Sequence, residues 1–126
     1  MEIPLEIGIS PTLGIRGLVA ARDLTEGELI EACPLVLIPV TQEEALEQTA
    51  LSVYYFLWTD EHYCLALGYG SLYNHSYHAN VRFIHDYDKR QIVFRAARNI
   101  SKSEELTVNY NGDPNDPTPI HPDFLR

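Results

Sequence analysis

Tyr73-Asn74-His75-Ser76-Tyr77-His78-Ala79-Asn80 crowds amides, imidazoles and hydroxyls into eight residues. Nearer the C-terminus, Glu104-Glu105-Leu106-Thr107-Val108-Asn109-Tyr110 concentrates carboxylates and a phenol in the same way. Asn74-His75-Ser76 has three ordinary readings. It is formally an N-glycosylation acceptor, as is Asn99-Ile100-Ser101, but Met1-Glu2-Ile3-Pro4-Leu5-Glu6 places acids where a secretory leader carries Lys or Arg, so export is not expected. It holds two imidazoles three residues apart, yet no H-E-x-x-H or second ligand pair accompanies them, and no metal is expected. A lone packed histidine is the third reading. The company of Gly68-Tyr69-Gly70-Ser71-Leu72 before it, Asn80 after it and the glutamate motif downstream displaces that one.

A chain of 126 residues suits a single domain, 1–126, able to bury about 65 to 70% of its unfolded surface. Hydrophobic residues at 45% and charged ones at 21% exclude a disordered chain. No run of about 20 apolar residues would span a bilayer, so a membrane is not expected as a partner. Cys33 and Cys64 lack C-x-x-C spacing and read as two buried thiols. The expected setting is intracellular: cytoplasmic for a bacterial chain, nuclear for a viral or eukaryotic one. The net charge of -9 repels phosphate backbones, which argues against direct nucleic-acid binding and favours a basic partner.

Outward from the motifs, β signals dominate. Residues 29–38 read as strand ended by Pro39, after a turn at Asp23-Leu24-Thr25-Glu26-Gly27. Thr41 reads as a helix N-cap with Glu44 as its capping-box partner, predicting a helix from Gln42 toward Gln48. Residues 51–58 and 62–67 predict a hairpin around Thr59-Asp60-Glu61, and residues 81–85 and 91–95 a second one through Asp86-Tyr87-Asp88-Lys89. The motif-bearing core runs from about 8 to 112, and residues 113–126, rich in Pro and Asp, read as an irregular tail. Ala20-Ala21-Arg22-Asp23-Leu24-Thr25-Glu26-Gly27-Glu28 returns as Ala96-Ala97-Arg98-Asn99-Ile100-Ser101-Lys102-Ser103-Glu104, which predicts two turns of one shape.

Together the two motifs resemble the signatures of SET-domain protein lysine methyltransferases, written N-H-S-x-x-x-N and E-E-L-T-x-x-Y. Ser10-Pro11 with Gly14-Ile15-Arg16-Gly17-Leu18-Val19-Ala20 resembles the glycine motif that opens such domains, and Gly27-Glu28-Leu29-Ile30-Glu31-Ala32-Cys33 the strand after it. The run from Ala66 to Ser76 is similar to the minimal bacterial and chlorella-virus enzymes, which lack pre-SET and post-SET cysteine clusters. The resemblance implies a mostly β fold, the β-clip, of several small antiparallel sheets with one or two short helices. In it a C-terminal pseudoknot brings the motifs together. It further implies S-adenosylmethionine (SAM) on one face and a lysine side chain on the other, joined by a channel.

Such a transfer needs a neutral lysine amine, whose ordinary pKa is about 10.4, held in line with the methyl and shielded from water. The resemblance makes Tyr110 the catalytic residue. Gly14, Ile15, Arg16, Gly17, Asn74, His75 (through its backbone) and Tyr110 become the cofactor contacts, and Tyr55, Tyr69, Phe83 and Val108 the substrate side. Phe83 matches the aromatic that limits methylation in similar enzymes, so a di- or trimethylated product is expected. The implied substrate is a basic protein such as a histone tail, a ribosomal or a DNA-packing protein. Departures carry expectations too. The glycine motif is one residue longer, Asn109 replaces Asp, and Tyr77 and Ala79 replace Cys and Pro. Cys33 stands where some relatives carry a channel tyrosine, predicting a looser lysine cage. Without a zinc ligand set in the tail, Phe124 or the second subunit of a homodimer would close the cofactor site. The alternatives are a catalytically silent acidic module that binds basic proteins and, behind it, a methylase of a small amine.

Overall fold

The computed structural model describes residues 2–120; Phe124 lies outside them. Among the described residues the chain forms nine strands: β1 (Leu5–Ile9), β2 (Arg16–Ala20), β3 (Leu29–Pro39), β4 (Phe56–Leu57), β5 (His62–Ala66), β6 (Asn74–His75), β7 (Val81–Asp86), β8 (Gln91–Ala96) and β9 (Glu105–Val108). In β8 period-2 alternation buries Ile92, Phe94 and Ala96, and in β9 Leu106 and Val108, all at the centre of the core. One helix, α1 (Glu43–Glu47), and three 3-10 turns complete the described elements, and among the described residues no helix is long and apolar enough to cross a membrane.

The strands form two sheets, ordered β1-β2-β9-β6 and β4-β5-β3-β8-β7. The second curls until its edges meet. His85 Nε2 on β7 lies 2.7 Å from the Leu57 carbonyl of β4, and the Tyr87 hydroxyl donates to the Trp58 carbonyl at 3.2 Å. Side chains thus occupy edge acceptors that would otherwise be open to another chain.

In the first sheet β9 is inserted between β2, to which it is antiparallel, and β6, to which it is parallel, with Asn74 opposite Thr107 and His75 opposite Val108. The chain then folds back against the first motif. The Ala79 N–H donates to the Pro114 carbonyl at 3.1 Å, and Asn109 Nδ2 donates to the Asp116 carbonyl at 2.8 Å. This crossing brings the two motifs, some 30 residues apart in sequence, side by side.

The repeated nine-residue segment forms two turns of one type. The Glu28 N–H donates to Thr25 O at 2.9 Å and the Glu104 N–H to Ser101 O at 3.0 Å; the residues before them, Gly27 and Ser103, both take positive φ, 86° and 74°. The two turns also pair with each other about a local two-fold. Leu24 and Ile100 exchange N–H bonds at 2.8 and 2.9 Å, and Gly27 N–H to Ala96 O (2.7 Å) is matched by Ser103 N–H to Ala20 O (2.8 Å). Asp23 and Asn99 each accept, at 2.8 and 2.9 Å, a backbone N–H from the opposite turn.

Two local expectations are corrected. Thr41 does not cap a helix: Val40–Gln42 is a 3-10 turn, Gln42 is the N-cap of α1 and no side chain caps it. Pro39 fixes the chain into a turn one residue too early for the Thr41 hydroxyl to stand before the helix. Residues 51–58 are not a strand throughout, because Thr49 Oγ1 accepts from the Leu51 N–H and caps a 3-10 turn at Ala50–Val53. Only Phe56 and Leu57 pair with β5.

Candidate active site

The site is assembled by amides that bind backbone. Asn80, 2% exposed, donates through Nδ2 to Glu105 O at 2.7 Å and Glu104 Oε2 at 2.8 Å, and accepts from the Thr107 N–H at 2.8 Å. An amide offers donor and acceptor together, so one side chain clasps the first four residues of the glutamate motif, 104–107. Asn74 Nδ2 donates to the Arg16 carbonyl at 2.9 Å and to Glu105 Oε2 at 3.0 Å, while Ser10 Oγ donates to Glu105 Oε1 at 2.7 Å. Gly17 makes this approach feasible: a Cβ there would stand 2.7 Å from Glu105 Oε2 and 2.8 Å from Asn74 Nδ2.

His75 is buried between the rings of Tyr77 and Tyr110, at 4.4 and 5.1 Å. Its Nδ1 accepts the Tyr110 backbone N–H at 3.0 Å, which assigns the proton of the neutral ring to Nε2. That Nε2 is buried without a hydrogen-bond partner among the described residues. Burial lowers the imidazole pKa and keeps it neutral.

The Tyr110 hydroxyl donates to the Tyr73 carbonyl at 2.8 Å. Burial, followed by the neighbouring Tyr54 and Glu105, pushes this phenol up to about 12. Tyr110 stands where two cavities meet. One, of about 460 Å³, is lined by aromatic and apolar groups that include Tyr55, Phe56, Phe83 and His85. The other, of about 450 Å³, is lined by groups that include Ile15, Arg16, Thr49 and Asn74. Val53, Tyr54, Ser71, Tyr73 and Tyr110 line both and form their common wall.

Of the residues expected at the site, Tyr55 and Phe83 line the first cavity, Ile15, Arg16 and Asn74 the second, and Tyr110 both. The Tyr55 hydroxyl is hydrogen-bonded to Glu47 of α1, and the Phe83 ring meets Phe56 edge-on at 5.3 Å. Gly14, Gly17, His75, Tyr69 and Val108 are not among the lining groups of either cavity. Val108 is fully buried beside His75, and Tyr69 packs on the core with its N–H toward Glu31. Cys33 lines neither cavity: it is 1% exposed beneath Gly70, whose Cβ, were there one, would lie 2.9 Å from its sulfur. The turn at Gly70–Leu72 fills the space beside it, so the looser cage expected from Cys33 does not arise there. Tyr54, Ser71 and Tyr73 escaped the sequence reading. The signal for Tyr73 was its place beside Asn74; for Tyr54, whose hydroxyl accepts from Arg16 Nη2 at 3.3 Å, no local pattern exists because the chain there is a 3-10 turn.

Comparison with known proteins bears on the family and the fold. The family described as the SET domain matches residues 15–111. A Schizosaccharomyces pombe histone-lysine N-methyltransferase, H3 lysine-37 specific, is 33% identical over 108 residues, covering 85% of this chain and 73% of that protein. Among solved structures, a Plasmodium falciparum protein described provisionally as a histone methyltransferase superposes with TM-score 0.68 at 29% identity, over 87% of this chain and 95% of that one. CpSET8 from Cryptosporidium superposes with TM-score 0.64 at 26% identity, over 92% of this chain and 59% of that one.

Proposed function

The chain belongs to the SET-domain family, and from that premise we propose that it transfers methyl groups from SAM to the side-chain amine of lysine in a basic protein, to the di- or trimethyl state. The observation that carries this reading is the place of Tyr110 on the wall common to both cavities. A transfer between two ligands that enter from opposite sides needs one oriented group at their junction.

The second cavity suits the cofactor. Its volume lies within the range of small-molecule sites, and it combines apolar groups with the cation of Arg16 and the amide of Asn74, which match a carboxylate and an amine. Arg16 and Asn74 would hold SAM there, with Ile15 and Thr49 against its less polar parts. When bound, SAM supplies a methyl group already activated on a sulfonium.

The chain's own residues do the rest. With its phenol pushed up to about 12, Tyr110 stays protonated at neutral pH and acts as an oriented dipole, not as a base. Its proton is directed at the Tyr73 carbonyl, which fixes the orientation of the hydroxyl at the junction of the cavities. Withdrawal of the amine from water into the first cavity disfavours a charged ammonium by desolvation and so favours the neutral, nucleophilic amine. The net charge of -9 attracts Lys/Arg-rich segments such as histone tails, ribosomal or DNA-packing proteins, in an intracellular setting. Titration calorimetry with SAM followed by transfer of labelled methyl to a histone mixture tests the reading. Heat on SAM addition and label on lysine are expected; no heat, with salt-sensitive binding of basic peptides retained, would replace it by the silent module.

A further inference from the structure

Behind the wall shared by the cavities lies a carboxylate with no part in the chemistry above. Glu31, on β3, is 6% exposed. Its Oε1 accepts from the Tyr73 hydroxyl at 2.9 Å and its Oε2 from the Tyr69 N–H at 3.4 Å. Tyr69 and Tyr73 are the two residues that bracket the 3-10 turn at Gly70–Leu72. That turn gives Gly70 and Ser71 to the first cavity and Ser71 and Leu72 to the second. One side chain therefore pins both ends of the floor on which both cavities rest.

The floor has no slack beneath it. A Cβ at Gly70 would stand 2.7 Å from the Ala66 Cβ, and one at Gly68 would stand 3.3 Å from Glu31 Oε2. The Tyr73 ring stacks on Phe94 at 4.5 Å, 15° from parallel. Its main-chain carbonyl is the acceptor of the Tyr110 hydroxyl. Burying a carboxylate here is unfavourable: desolvation pushes Glu31 above the usual carboxylate range, while hydrogen bonds from Tyr73, Cys33 and Tyr69 oppose the rise. A phenylalanine over Phe94 with an apolar residue at 31 would pack the core without that penalty. The polar pair does what packing alone does not, since it ties the turn to a fixed point on β3.

We propose that Glu31 is a positioning residue which, through Tyr73 and Tyr69, holds the Tyr73 carbonyl in line with the Tyr110 hydroxyl at the junction of the cavities. Its consequence for methyl transfer rests on the proposed function; its consequence for the Tyr110 hydroxyl does not.

The test uses Glu31→Gln, Tyr73→Phe and the double variant Glu31→Met/Tyr73→Phe, each read three ways: melting temperature, exchange of the Tyr110 hydroxyl proton with water by NMR without cofactor, and single-turnover methyl transfer. Glu31→Gln keeps an oxygen that accepts from Tyr73 and should stay within about threefold of the parent in rate. Tyr73→Phe should speed hydroxyl exchange and slow transfer, each by about tenfold. The double variant, which leaves no carboxylate unpaired, should regain the melting temperature but neither the slow exchange nor the rate. It also carries the test if Tyr73→Phe alone does not fold. In a Tyr110→Phe background, Tyr73→Phe should cause no further loss of rate. The proposal is overturned if exchange and rate recover along with stability in the double variant, or if a folded Tyr73→Phe leaves the hydroxyl as protected as in the parent. A parent that transfers no methyl would instead refute the proposed function, and hydroxyl exchange would still decide the role of Glu31.

Discussion

The backbone N–H of Tyr110 donates to Nδ1 of His75 at 3.0 Å, within a ring buried to 6% exposure. The acceptor exists only while the imidazole is neutral. Burial lowers its pKa below the ordinary 6.5. The unfolded chain therefore binds this proton first as pH falls, and the stability His75 contributes is complete above the ordinary value and lost between it and the lower folded value. Protein melted across pH 5 to 8 should weaken on the acid side of about 6.5. His75→Asn, whose Oδ1 replaces Nδ1 as acceptor and does not titrate, should flatten that acid limb. Parallel pH curves for the two proteins would show that His75 is not its source.

Glu31 titrates with the opposite sense. Its folded pKa is raised, so the folded protein holds the proton to higher pH than the unfolded chain. The parent should lose stability relative to Glu31→Gln as pH climbs from about 4.3 through the raised value, and the difference should then level off. A melting-temperature difference constant from pH 4 to 8 would contradict a shifted carboxyl.

Tyr110→Phe removes a hydroxyl but keeps the ring that packs beside His75. The variant should fold, give the same SAM heat as the parent and lose roughly 10²-fold or more in single-turnover rate, the scale expected for one oriented polar group. Because burial pushes the parent phenol up to about 12, the remaining rate should still rise with pH through deprotonation of the substrate amine. Unchanged turnover would take Tyr110 out of the chemistry.

Gly17→Ala tests the cofactor side. Its Cβ would meet Glu105 Oε2 at 2.7 Å and Asn74 Nδ2 at 2.8 Å, so one of the two must move. Overpacking of this kind typically costs about 1–3 kcal/mol. If Asn74 is the group that yields, SAM affinity should fall together with the melting temperature. Gly8→Ala, whose Cβ would meet Val19 at an ordinary 3.4 Å, is the control. Equal SAM affinity in Gly17→Ala, Gly8→Ala and the parent would place the cofactor contacts elsewhere.

What the sequence disclosed was whatever has a local signal. The hairpin of β7 and β8 was legible because two runs rich in β-branched and aromatic residues, 81–85 and 91–95, flank a turn rich in Asp. The paired turns were legible because both repeat one order of turn residues. The parallel contact of β6 with β9 was reachable only by resemblance, since no periodicity announces a two-residue strand. The floor of the cavities was invisible for a different reason. Glu31 and Tyr73 meet across 42 residues, and a glutamate in an apolar strand reads as an outward-facing charge. Thr41 and residues 51–58 misled because Pro39 and Thr49 set turns whose register propensity alone does not fix.

On the proposed function, the methylation state should turn on Phe83. Its ring lines the first cavity among Phe56 at 5.3 Å, His85 at 6.1 Å and Phe94 at 6.3 Å. A phenyl ring anchors no water, so the cavity keeps room for a methylated amine to turn its lone pair back toward the methyl donor. Since Cys33 lies beneath the Gly70 turn and contributes no width, that room depends on Phe83. Di- or trimethyl-lysine is therefore the expected end product of the parent. Phe83→Tyr adds a hydroxyl that needs a partner; with one water held beside the amine, a monomethylated lysine could no longer reorient, and product should accumulate at an earlier stage by about tenfold or more. Mass spectrometry of a methylated histone peptide at long incubation reads the outcome. Monomethyl-lysine alone from the parent, or the same distribution from both proteins, would remove Phe83 from control of the product.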